Sequence, residues 1–166
     1  MRFGLVLRVG TIAVLAILLA AQPRIHAQFT GSAVSPDSAF SIPNAQVLQP
    51  EELNRVLHAQ GANKPLVLQV GSHTLFAEAH IAGSEYAGPG SQAAGLKQLQ
   101  DRVAPLPRKT FIVIYCGCCP WNRCPNLGPA FKLLRDLGFT NVKALYIADN
   151  LGADWVAKGY PVESGR

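Results

Sequence analysis

The hydrophobic positions of this chain fall into two patterns that alternate along it. In "PEELNRVLHAQG", Leu53, Val56 and Leu57 recur at helical spacing. Pro50 suits a first helical turn, and Glu51 and Glu52 suit its positive end. Gly61 ends the element. "KPLVLQV" (64–70) is a short continuous apolar run, read as a buried strand. "LFAEAH" offers one helical turn, and "HIAGSEYAGPGS" has the Gly/Pro punctuation of a loop around a short strand. Ser91 is placed to cap a helix through Val103, with Leu96, Leu99 and Val103 facing inward. "TFIVIY" (Thr110–Tyr115) is β-branched and aromatic, continuous rather than alternating, as a central parallel strand covered on both faces should be. "GPAFKLLRDLGF" reads as a helix with Phe131, Leu134 and Leu137 inward and Gly138 at its end. "NVKALYI" reads as another strand, and "GADWVAKGYPV" as a last short helix with a tail. Strands alternating with helices predict an α/β domain in three layers, with a mainly parallel central sheet flanked by helices.

The N-terminus has a different pattern. Arg2 and Arg8 precede the apolar run Thr11–Ala21, and small residues follow in "RIHAQF". A basic start, a run of about a dozen apolar residues and an Ala at the end predict a secretory signal peptide over 1–27. The run is short for a membrane span, which needs about 20 residues. A membrane partner is expected only if this segment stays uncleaved as an anchor. The organisation is then a signal peptide (1–27), a flexible lead-in (28–44) rich in small residues, and a folded domain (45–166). The expected location is outside the cytoplasm, periplasmic or secreted.

Cleavage alters the charge picture. The formal charge of +5 includes Arg2, Arg8 and Arg24 with no acid in the same segment, so the mature chain carries +2. No basic stripe interleaved with aromatics remains, and nucleic acid is not an expected partner.

All four cysteines, Cys116, Cys118, Cys119 and Cys124, fall within the nine positions 116–124 of "YCGCCPWNRCPN". Disulfides among them would close tiny loops, which constrain the unfolded chain least, so stability is a poor reason for the cluster. A loop between the C-terminal end of a parallel strand and a helix is a common ligand position. There, backbone N–H groups and the helix's positive end favour an anion, lowering a cysteine's pKa and raising its nucleophilicity at neutral pH. Arg123 would add a positive charge. A buried small hydrophobe is the plain reading of one cysteine, but it fits poorly with four among Gly, Pro, Asn and Arg.

From about Ala45 to Glu163 the chain resembles a rhodanese-like domain. "PEELNRVL" is similar to that family's opening helix, and "LVLQV" to the strand before its Asp-x-Arg segment. "EAHIAGS" resembles its Gly-His-Ile-Pro-Gly-Ala turn, and "FIVIYC" the strand ending in the catalytic cysteine. "LLRDLGFTNVKAL" and "ADWVAKGYPVE" resemble the elements beyond. The resemblance implies a sulfurtransferase, acting like a thiosulfate sulfurtransferase. A loop thiolate would take sulfane sulfur from a small donor such as thiosulfate and hold it as a persulfide. It would then pass the sulfur to a thiol acceptor, with no cofactor. Gln69 and Gly71 stand where the family has Asp and Arg, Ala79 replaces the Gly before His80, and the loop is longer than Cys-x-x-Gly-x-Arg-Ser. Counted from the strand, Cys116 is the persulfide nucleophile; counted back from Arg123, Cys118 is. Cys116 is preferred because the sheet fixes the strand end, whereas a loop absorbs insertions. The resemblance casts Arg123 as the anion stabiliser and Gly117, Cys118, Trp121, Asn122 and Cys124 as substrate-binding positions. Pro120 and Pro125 withdraw two N–H donors from the loop.

Two other chemistries compete for the cluster. Cys116 and Cys119 form a Cys-x-x-Cys between a strand and a helix, which suits thiol–disulfide exchange, and Cys119 could resolve a persulfide on Cys116. Cys116, Cys119 and Cys124 are spaced for a thiolate metal site, suiting zinc or Cu(I). A degenerate domain with its loop locked in disulfides is a further possibility. His73 and His80 are read as turn or surface residues, Trp121 as a loop anchor or pocket wall, and Trp155 as core.

Overall fold

The computed structural model describes residues 41–61 and 63–165. The expected signal peptide and all but residues 41–44 of the lead-in lie outside the described residues. Among the described residues no helix is long and apolar enough to cross a membrane.

Five strands form a parallel sheet: β1 (Val47–Leu48), β2 (Leu66–Gln69), β4 (Glu85–Tyr86), β5 (Ile112–Tyr115) and β6 (Val142–Leu145). Their spatial order is β1-β6-β5-β2-β4. A separate antiparallel pair joins β3 (His80–Ile81) to β7 (Val162–Glu163). The helices are α1 (Pro50–His58), α2 (His73–Glu78), α3 (Ala93–Val103), α4 (Leu127–Asp136) and α5 (Leu151–Asp154).

The central strand explains the continuous apolar run. In β5, Ile112 and Ile114, followed by Cys116, pack into one core with Leu99, Val103, Phe131 and Leu134, supplied by α3 and α4. Val113 and Tyr115 point the other way, into a core with Leu53 of α1, Ile81, Leu145 and Trp155. Side chains alternate across a strand, so a strand buried on both faces needs an apolar residue at every position. Full burial of each such side chain contributes about 1.5–3 kcal/mol. Tyr115 is the one polar group among them, and its hydroxyl is satisfied. It accepts a hydrogen bond from the Ile81 N–H (3.2 Å) and bonds the Ser84 hydroxyl (2.9 Å). Burial pushes this phenol up to about 12, so it stays protonated.

The three-layer α/β expectation holds, with details that differ. β1 and β7 each have two residues, too few for any period to register; the sequence pattern predicts no strand at Val47–Leu48, and at Val162–Glu163 it predicts only a tail. Helix α2 starts at His73, two residues before the turn expected from "LFAEAH". Ser91 does not cap α3: Gln92 holds that position, and the Ser91 N–H donates to Asn126 Oδ1 (3.0 Å). Trp155 is core as expected, fully buried with its indole N–H on the Pro161 carbonyl.

Candidate functional site

Cys116 stands one residue past the C-terminal end of β5 and is 2% exposed, so the sheet fixes its position. Gly117 then turns the chain with φ +74°, a value that side-chain-bearing residues rarely adopt. Its carbonyl accepts the Leu151 N–H at 2.9 Å, tying the loop to α5. A 3-10 turn, Trp121–Arg123, follows Pro120. The Trp121 N–H donates to the Ala148 carbonyl (3.2 Å), and its ring lies 5.3 Å from that of Tyr146. Trp121 is thus the loop anchor expected of it.

The exit of β2 closes against the same point. Gln69 is buried, and its Nε2 donates to the Cys116 carbonyl (3.2 Å) while its Oε1 accepts the Gly71 N–H (3.2 Å). A Cβ at Gly71 would lie 2.7 Å from the Cys116 carbonyl oxygen and 3.0 Å from its sulfur. The two positions that depart from Asp-x-Arg are therefore filled by an amide that holds the Cys116 backbone and a glycine that makes room for it.

The four sulfurs converge. Cys116 Sγ is 3.0 Å from Cys118 Sγ, which is 3.3 Å from Cys119 Sγ. The sulfurs of Cys116, Cys119 and Cys124 all lie within 4.8 Å of one another. Asn126, buried at the start of α4, donates from Nδ2 to Cys116 Sγ at 3.2 Å. The orientation of its amide is fixed by the Ser91 N–H on Oδ1. This asparagine occupies the N-cap position yet caps nothing with its side chain. Cys124 does that work, accepting from the backbone N–H groups of Asn126 and Leu127.

The contact between Cys116 and Cys124, helped by that capping, sets where negative charge resides. A hydrogen bond from Cys116, together with the two N–H groups at the positive end of α4, holds the Cys124 thiol down at about 6, against burial. Cys116 is pushed up by the same hydrogen bond, which places the shared proton on it, and by its own burial. Burial, then the contact with Cys118, pushes Cys119 up to about 12. The lowered pKa expected at the strand end is therefore found at the other end of the loop. The loop is long enough to separate the strand end from the helix start: two N–H groups of the helix start reach Cys124, while Cys116 receives only the Cys118 N–H from the backbone, too little to offset its burial and its contact with Cys124.

A cavity of about 400 Å3 opens over Cys116, Gly117 and Cys118, with Gln69, Leu75, Glu78, Ala79, Asn150, Leu151, Gly152 and Val156 completing its wall. Among the described residues Glu78 is the one charged group in its wall. Arg123 and Asn122 are exposed and line an adjacent hollow with Trp121, Tyr146 and Asp149, away from that wall. Arg123, expected as the anion stabiliser, is thus not among the residues that line this cavity. The N–H groups of Trp121, Arg123 and Cys124 are spent on carbonyls of Ala148, Pro120 and Trp121, so the loop's anion cradle is small. His80 is buried rather than superficial, stacked on Phe76 (3.9 Å) and donating from Nδ1 to the Phe76 carbonyl, while His73 sits edge-on to Tyr86. Neither reaches the sulfur cluster. Sequence reasoning missed Asn126 and Gln69; the position of Asn126 directly before a predicted helix was the available signal.

A parallel sheet with helices on both faces and a cysteine at the head of the loop after its central strand defines a class of fold. No protein-family model matches the chain, and no curated protein matches it. Solved structures do match. The rhodanese-like domain of the Alr3790 protein from Anabaena sp., in a solution NMR structure, is 23% identical with a TM-score of 0.53, over 72% of this chain and 79% of that one. A crystal structure of the Alr3790 protein gives 24% identity and a TM-score of 0.56, over 71% and 92%. The Saccharomyces cerevisiae single domain sulfurtransferase RDL2 is 14% identical with a TM-score of 0.52, over 72% and 95%. The chain has the rhodanese-like fold.

Proposed function

We propose that the chain is a sulfurtransferase that carries sulfane sulfur as a persulfide on Cys116. The observation that carries this reading is the placement of Cys116. It is the cysteine that both lines the cavity and receives the Asn126 amide, at the end of the central strand. A fold neighbour described as a sulfurtransferase supports the class of reaction. Cys124, already ionised near neutral pH, acts as the base: it takes the Cys116 proton as the donor arrives. The Cys116 thiolate attacks the outer sulfur of the donor, the donor's bond to that sulfur breaks, and the electron pair leaves with the departing group. An acceptor thiolate then attacks the terminal sulfur of the persulfide. Cys116 departs as thiolate and recovers its proton from Cys124. With Glu78 and no cation in the cavity wall, a singly charged organic persulfide suits the site better than the thiosulfate dianion. Export remains part of the proposal and rests on residues 1–27.

Intact mass spectrometry of the reduced protein tests this. Incubation with an organic persulfide or thiosulfate is expected to add one sulfur, removable by cyanide and absent in Cys116→Ser. Retention in Cys116→Ser with loss in Cys118→Ser would move the carrier to Cys118, and no gain from either donor would sink the reading.

The 3.0 Å contact between Cys116 and Cys118 favours a second reading, thiol–disulfide exchange. Sequence spacing assigned this chemistry to Cys116 and Cys119, but the shortest sulfur contact lies one residue earlier. Under that reading a disulfide substrate is reduced as Cys116 and Cys118 are oxidised to a disulfide. The protein then loses two hydrogens and gains no sulfur.

A further inference from the structure

The sulfur cluster has a geometry that persulfide transfer alone does not require. We propose that Cys116, Cys119 and Cys124 together bind one thiophilic cation, Cu(I) in preference to Zn(II), in a three-sulfur site. Each contributes one sulfur, and the three lie within 4.8 Å of one another. Metal–sulfur bonds of about 2.3 Å in a plane set sulfur–sulfur edges of about 4.0 Å, so each edge closes by less than about 1 Å on binding.

The supports of the triangle are unequal in a useful way. Cys116 is held by the sheet and Cys124 by the first N–H groups of α4, two rigid anchors at opposite ends of the loop. Cys119 belongs to the segment between them and is half-buried, so it can swing in as the closing ligand. Hydrogen bonds already reach two of the sulfurs, from Asn126 Nδ2 to Cys116 and from the Asn126 and Leu127 N–H groups to Cys124. Outer partners of this kind orient ligands and drain charge from them.

The donor set selects the ion. All three atoms are sulfur, and no carboxylate or imidazole joins them among the described residues. His80 is committed to Phe76 and His73 packs on Tyr86. Soft thiolates select Cu(I), zinc or iron–sulfur clusters. Structural zinc takes four ligands, whose sulfurs would sit about 3.8 Å apart around a tetrahedral ion. Cys118 is closer than that to both neighbours, at 3.0 and 3.3 Å, and directly precedes Cys119 in the chain, so it is not set as a fourth ligand. Three sulfurs without a fourth favour Cu(I). Binding changes no oxidation state: Cys116 and Cys119 give their protons to solvent, Cys124 binds as the thiolate it already is near neutral pH, the sulfurs stay reduced, and copper enters and remains as Cu(I).

This inference stands apart from sulfur transfer but uses the same Cys116, so bound metal and carried sulfur exclude each other. The test takes the reduced full-length chain under argon, with no sulfur donor, and titrates Cu(I) against a chromogenic chelator. One equivalent per chain is expected, with thiolate-to-Cu(I) absorption in the near ultraviolet. Cys116→Ser, Cys119→Ser and Cys124→Ser should each weaken binding by at least about 100-fold, and Cys118→Ser by less than about 10-fold. Cys119→Ser is the safest of these for folding, because it changes a half-buried loop residue, and circular dichroism checks each variant. Retention of all copper by the chelator, an equal loss in Cys118→Ser, or tighter binding of Zn(II) overturns the site. Sulfur loading is measured on a separate metal-free sample. Loading without copper binding refutes this inference alone, and copper binding without loading refutes only the sulfurtransferase reading.

Discussion

Replacing Asn126 by aspartate exchanges an N–H donor for an oxygen while keeping the side chain's shape. In the native protein Nδ2 donates to Cys116 Sγ at 3.2 Å, and Oδ1 is pinned by the Ser91 N–H, so the amide cannot turn over to hide the change. The aspartate keeps the Ser91 bond and turns its second oxygen, a negative charge, toward the sulfur. Asn126 is 7% exposed, so water screens little of this. A hydrogen bond to a charged group contributes about 1.5–3 kcal/mol. The native bond strengthens as Cys116 becomes a thiolate, so losing it raises the barrier to attack by that much. Sulfur loading should slow by about 10–100-fold. The assay is the rate at which one sulfur appears on the intact protein at fixed donor and pH, with near-ultraviolet circular dichroism confirming the fold. Asn126→Ser, which drops the amide without adding charge, should fall between the two. A folded Asn126→Asp that loads within about 2-fold of the native rate would refute the claim that this amide supports the Cys116 thiolate.

Gly71→Ala forces a methyl against the Cys116 carbonyl and sulfur, and overpacking of this kind costs about 1–3 kcal/mol, readable in urea unfolding. Unchanged stability would mean that β2 does not close on Cys116. Tyr115→Phe strands the Ile81 N–H and the Ser84 hydroxyl, and should lower stability by about 1–3 kcal/mol while sulfur loading persists. Alkylation mapped by peptide should mark Cys124 before Cys119 at pH 7. The Cys124 rate should fall about tenfold per pH unit below about 6, because a lowered pKa leaves the thiolate intact above that value and removes it below; earlier labelling of Cys119 would contradict the assignment. Glu78→Gln removes the cavity's only charge and should speed loading from thiosulfate roughly 2–5-fold at low salt, fading as salt rises; no change at any salt would remove Glu78 from the donor's path.

Much of the architecture was legible because burial on two faces writes itself into composition. β5 had to be apolar at every position, and α4 had to repeat Phe131 and Leu134 at helical spacing, so both stood out. The two-residue strands β1 and β7 were silent, since pairing there is decided by partners distant in sequence, Ala144 and Leu145 for one and His80 and Ile81 for the other. Ser91 misled by one position: the helix begins after Gln92, and a one-residue shift of a helix start lies below what local capping preference resolves. At the site, the cysteines and their loop were legible, but the division of labour among them was not. Spacing alone cannot show that Asn126 turns back toward Cys116 while the first N–H groups of α4 turn toward Cys124.

That division has a chemical consequence. A single cysteine at a helix start is made nucleophilic by the same field that lowers its basicity, so stabilising its thiolate costs reactivity. Here the two effects fall on different sulfurs. Cys124 takes the helix's stabilisation and holds the charge, while Cys116 stays protonated beside it in the cavity wall. In the proposed transfer, where the proton crosses between them, the thiolate formed at Cys116 has one amide donor from Asn126 and one from the Cys118 N–H, not the first turn of a helix. It is therefore less stabilised and the stronger nucleophile. A cluster of cysteines divided in this way would separate storing the charge from using it.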